Sequence, residues 1–104
     1  MAEPVLPVRS PESCADMTQL RTEIDRLDRQ IVALLAERSG YVARAAELKK
    51  IRAAIVDEAR IEQIIVRVRG YALSHDADPD LIEAIYRAMI AAFIAFEEKA
   101  FDQK

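Results

Sequence analysis

An apolar stripe runs through residues 20–45 with no proline in it: Leu20, Ile24, Leu27, Ile31, Leu34, Leu35, Val42 and Ala45 step by threes and fours. That period is the signature of one face of an α-helix. The reading is a single helix from about Met17 to Lys50, capped by Asp16 or Thr18, with Glu23 and Asp25 early and Lys49, Lys50 and Arg52 near its end. About 34 residues at 1.5 Å each make a rod of about 50 Å, whereas a compact chain of about 100 residues has a radius of gyration of only about 13 Å. Much of the rod must project from a monomeric globule with its apolar stripe uncovered. A symmetric dimer with the first helix packed on its copy is the simplest solution; the alternative is a three-helix monomer in which helix 1 is broken.

The remainder reads as all-α. Of four prolines, Pro4, Pro7 and Pro11 lie at the start, and the chain has two glycines, so little punctuates it beyond Pro11. Residues 1–15 form a tail with a turn at Ser10-Pro11-Glu12, and residues 16–104 form one helical domain. After a short connection at 51–56, helix 2 starts near Asp57, carries Ile61, Ile64, Ile65 and Val68, is weakened by Gly70 and fades by Ser74. His75 to Pro79 is a loop whose Asp78-Pro79 supplies an N-cap and a first-turn proline. Helix 3 then reaches about Phe101 along Leu81, Ile82, Ile85, Met89, Ala92, Phe93 and Phe96.

A net charge of -3 gives no support to nucleic acid or an anionic membrane as partner. No run approaches the roughly 18 apolar residues of a membrane span, and no signal peptide is evident. A single cysteine, Cys14, forms no intrachain disulfide and reads as a packing residue, so the expected setting is cytoplasmic. No Ser/His/Asp set, metal-spaced cluster or Gly-rich phosphate loop is present, so no metal is expected. His75, the one histidine, reads as exposed in its polar loop.

Cations interrupt the stripe. Past Leu35 the same face carries Arg38, Val42, Ala45 and Lys49, and Arg38 and Lys49 stand eleven residues apart, close to three full turns. Taken singly, Arg38 pairs with a helix 3 glutamate and Lys49 snorkels at the helix end. Taken together they form a doubled cation on an inward face, the arrangement expected for a dicarboxylate ligand. Asp57 and Arg60 read as an N-cap and a solvated arginine, or as further polar contacts to that ligand. Glu97 lies one turn beyond Phe93, inside an apolar stripe where a carboxylate is out of place, or else facing water near the end of helix 3.

The segment LRTEIDRLDRQIVALLAER at 20–38, Lys49 eleven residues later, and VDEAR at 56–60 together resemble the all-α chorismate mutases, over roughly residues 10–101. The resemblance implies an intertwined homodimer of three-helix chains with two shared active sites, binding chorismate through cations of both chains. It assigns Arg38, Lys49 and Arg60 to the substrate from one subunit and Arg21 from the other. Lys49 and Glu97 match the pair that hydrogen-bonds the breaking ether oxygen. The implied reaction is pericyclic and uses no cofactor. Ile61 stands where these mutases often have glutamate, Phe93 replaces a small hydroxyl residue, and Glu97 stands where glutamine is common. Ile61, Phe93 and the SPESC segment at 10–14 resemble the sister isochorismate-pyruvate lyases of salicylate biosynthesis, whereas Asp57 resembles the mutases, where an aspartate contacts the ring hydroxyl region. The leading expectation is mutase, with lyase second and a non-enzymatic helical dimerisation module third. The last requires ordinary core residues at 38 and 49, which the two cations contradict.

Overall fold

A computed structural model describes residues 7–104. The described chain is helical: after a 3-10 turn at Pro11–Ser13 come α1 (Met17–Leu48), a 3-10 turn at Arg52–Ala54, α2 (Glu58–Ser74) and α3 (Pro79–Asp102). It divides into two compact units, one ending at Arg38 and the other spanning Ser39–Lys104. Helix α1 is continuous through Gly40, so the broken-helix alternative does not apply, and it stops at Leu48, two residues short of the expected end. Among the described residues no helix is long and apolar enough to cross a membrane.

The start of α1 follows the expected chemistry. Asp16 Oδ1 accepts from the Gln19 amide at 2.9 Å, and the Gln19 side chain returns to accept from the Ala15 amide at 2.8 Å. One of the amide donors that a helix start leaves unpaired, that of Gln19, is thereby satisfied, and the second bond ties the preceding residue to the first turn. Glu23, placed early in the sequence reading, pairs instead with Arg26 at 2.8 Å. The apolar stripe stays largely open: Ile24, Leu27, Ile31 and Leu34 are between 44% and 66% exposed.

Among the described residues, the buried ones lie in the second unit: Ala46, Ile55, Ile65, Val68, Ala72, Ile90 and Glu97. Helices α2 and α3 pack against each other, joined by four residues, 75–78, as suits antiparallel neighbours. Helix α2 passes through Gly70, which is conformationally costly in a helix but does not break it. It closes in a Schellman turn: Ala77 N–H donates to Ala72 O at 2.8 Å and Asp76 N–H to Leu73 O at 3.2 Å. Asp76 sits between them at φ 55°, the left-handed position usually taken by glycine, which Asp tolerates better than most residues. Helix α3 opens as expected, with Asp78 Oδ1 accepting from the Asp80 amide and Pro79 in the first turn. Its apolar residues fall on two faces. Ile90 and Glu97 point inward, while Leu81, Ile85 and Phe96, which the sequence grouped with the core stripe, are 43–56% exposed.

A charged lattice ties α2 to α3. Arg69 reaches Asp80 and Glu83, each at 2.9 Å, and Arg87 reaches Glu83 at 2.7 Å and Glu62 at 3.2 Å. The Arg87 and then the Arg69 guanidinium hold the Glu83 carboxyl below its ordinary range. A depressed folded-state value contributes stability above the unfolded value of about 4.3, and that contribution fades as pH falls through the folded value. Thermal unfolding should therefore move to lower temperature on acidification through this window. Glu83→Gln should lower the melting temperature at neutral pH and flatten its acid dependence; an unchanged acid limb in the variant would exclude Glu83 as a contributor.

Candidate active site

Lys49 follows the last residue of α1, and its amide still donates to Ala45 O at 3.0 Å, so the residue continues the helical path before the chain bends. Its ammonium crosses to α3 and donates to Glu97 Oε2 at 2.6 Å. The Glu97 side chain is 9% exposed and that of Lys49 28%. Glu97 thus faces inward and not water, and Lys49 is partly exposed and paired with it. The distance is that of a strong charge-assisted hydrogen bond. Two charges removed from water are costly unless matched, and here each is the other's partner. An ammonium has three donors; the bond to Glu97 uses one, and the group is open enough to water to meet a small molecule.

The surroundings are apolar on the α3 side. Phe93, one turn before Glu97, is half-buried, and its ring meets Phe96 edge-on with centroids 6.3 Å apart. Arg52, three residues beyond Lys49, is held by Glu98 and Asp102, both at 3.1 Å. Glu98 is thus committed outward to Arg52, and Glu97 is the inward carboxylate. Asp102 and then Glu98 raise the Arg52 pKa above the ordinary guanidinium value.

At the start of α2, Asp57 takes the N-cap role, its Oδ1 accepting from the Arg60 amide at 3.0 Å. The Arg60 side chain is exposed and Ile61 is half-buried. In the first unit Arg38 is half-buried and Arg21 exposed, both on α1. The structure therefore joins Lys49 and Glu97 directly. Asp57 and Arg60 it joins through a capping bond to the Arg60 backbone.

Two neighbours of this site escaped the sequence reading. Arg52, by sequence a helix-end cation, clamps α3. Lys104, not singled out, donates to Lys49 O at 2.5 Å and Ala46 O at 3.1 Å. Partners some 50 residues apart along the chain leave no periodic signal.

Residues 20–98, a stretch that contains Arg21, Arg38, Lys49, Asp57, Arg60, Ile61, Phe93 and Glu97, match the family described as chorismate mutase type II. The chain is 29% identical over 96 residues to a protein of Pseudomonas aeruginosa named isochorismate pyruvate lyase, covering 92% of this chain and 95% of that protein. It is 26% identical over 88 residues to one of Methanocaldococcus jannaschii named chorismate mutase, covering 84% and 89%.

Proposed function

Because the chain belongs to the type II chorismate mutase family, we propose that it is an enzyme that rearranges chorismate to prephenate in a homodimer with shared active sites. The observation that carries this reading is the Lys49–Glu97 pair at 2.6 Å, a cation and a carboxyl held together on a largely buried face. In the rearrangement the ether C–O bond breaks as a C–C bond forms in one cyclic step, and negative charge grows on the ether oxygen. A preorganised ammonium stabilises that charge, and holding the substrate folded removes much of the remaining barrier. In this reading Lys49 donates to the ether oxygen. Glu97 donates beside it when protonated, since an ionised carboxylate only accepts. Arg38 and Arg60 take the substrate carboxylates, Asp57 and Ile61 face the ring hydroxyl region, and Phe93 packs on the substrate. No cofactor is called for, and the expected setting is cytoplasmic.

Arg21 completes the site from the other chain. Arg21 and Arg38 lie on one continuous helix seventeen residues apart, which is about 25 Å along its axis and about a quarter turn off a common face. One copy of α1 does not bring both to one small molecule, whereas two copies packed on the exposed Ile24–Leu34 stripe do.

The second reading is isochorismate-pyruvate lyase, in which the same cations promote loss of pyruvate by hydrogen transfer, leaving salicylate. Two observations favour it: the relationship to the Pseudomonas protein, and apolar Ile61 and Phe93 at positions where the mutases more often carry polar groups. The readings separate in one experiment. Purified chain is supplied with chorismate and, separately, isochorismate, while prephenate, pyruvate and salicylate are quantified. The proposal expects prephenate from chorismate with the higher kcat/KM. Pyruvate and salicylate from isochorismate at the higher kcat/KM would replace it with the second reading, and no turnover of either compound would overturn both.

A further inference from the structure

The end of α1 lacks the cation that usually faces a helix C-terminus: its last turn contains no basic residue. The final carbonyls of a helix have no partner within it and carry partial negative charge. Here the cation comes from the end of α3. Lys104, just past the Gln103 C-cap of α3, donates from Nζ to Ala46 O and Lys49 O. Its ammonium also lies over the Phe101 ring, 4.1 Å from the centroid, and its amide donates to Phe101 O at 3.3 Å. The side chain is thus oriented from its own helix end before it reaches α1.

The carbonyl it holds is that of Lys49 itself. On the other side of Lys49, Arg52 is clamped by Glu98 and Asp102. The backbone from which the Lys49 side chain departs is therefore tied to the end of α3 on both flanks, and the side chain reaches the same helix at Glu97. A flexible four-carbon stem aims its ammonium reproducibly only if its base is fixed.

We propose that Lys104 is a positioning residue for Lys49: by capping the end of α1 through the Lys49 carbonyl, it fixes the direction from which the Lys49 ammonium meets its ligand. The inference rests on the functional reading only where activity is the readout. Lys104 itself is not placed on the substrate; it acts through Lys49.

The test compares the full chain with Lys104→Met, which keeps the apolar stem and removes the donors, and Lys104→Arg, which restores charge and donors. The side-chain Cε and Nζ resonances of Lys49 report its position without any turnover. They should move in Lys104→Met and return toward wild type in Lys104→Arg. With the substrate that the wild type converts, Lys104→Met should lower kcat about tenfold, the order expected of a sub-ångström misplacement, with KM changed less than about twofold. Lys104→Arg should recover most of that loss. Unmoved Lys49 resonances in Lys104→Met would overturn the proposal whatever the kinetics. So would moved resonances with unchanged kcat, or a loss that Lys104→Arg leaves in full. A wild-type chain inactive on both compounds would overturn the functional reading instead, and the resonance shift would still decide whether Lys104 positions Lys49.

Discussion

Lys49→Ala should lower kcat by two to three orders of magnitude, about 2.7–4 kcal/mol of barrier, the usual cost of losing one preorganised donor to a developing oxyanion. The expectation follows from the placement of Lys49: paired with a buried carboxyl, partly open to solvent, and at the end of a helix. The substitution also leaves Glu97 buried without its partner, which should cost about 1–3 kcal/mol of stability. The two effects separate in the double variant Lys49→Ala/Glu97→Gln, where no unpaired charge remains. Stability should largely recover while activity does not. Circular dichroism and thermal melts beside the kinetics check this. If the double variant regained both, the activity loss would belong to misfolding and not to a missing donor. Glu97→Gln alone should keep turnover, because an amide still donates.

The second large effect is complementation. Arg21→Ala and Arg38→Ala homodimers should each lose most activity, because every site then lacks one of its cations. Mixed and allowed to exchange, they should regain on the order of a quarter of wild-type activity, since half the dimers are mixed and one of the two sites in each is intact. Native mass spectrometry would establish the mixed species. Mixed dimers with no recovered activity would show that Arg21 and Arg38 do not serve one site from different chains.

Much of this molecule is legible in its residues because the signals are local. The three- and four-residue steps of Leu20 through Leu35 mark α1; Asp78-Pro79 starts α3 within one residue; Asp57 caps α2 with the bond its position implies. A glutamate inside an apolar stripe signals a partner, and Glu97 has one in Lys49. The resemblance, carried by 20–38, Lys49 and 56–60, lies almost wholly within the span that matches the family, 20–98. The illegible features depend on tertiary geometry. Helix α3 is apolar on more than one side, so its period does not reveal that Ile90 is buried while Leu81 and Ile85 are exposed. The left-handed Asp76 replaces the glycine that would have marked the turn. The Arg69–Glu83 and Arg87–Glu62 pairs and the Lys104 cap join residues of different helices, with no periodic spacing to announce them.

One small dicarboxylate should be held between Lys49 and Glu97 of one chain and Arg21 of another. A crystal structure with a stable bicyclic dicarboxylate that mimics the folded transition state tests it most directly. The expected result is a dimer with two ligands, each with its ether oxygen within hydrogen-bonding distance of Lys49 Nζ and the Glu97 carboxyl. Arg38 of that same chain and Arg21 of the other chain should contact the ligand carboxylates. A ligand bound away from the Lys49–Glu97 pair, or enclosed by residues of a single chain, would contradict it.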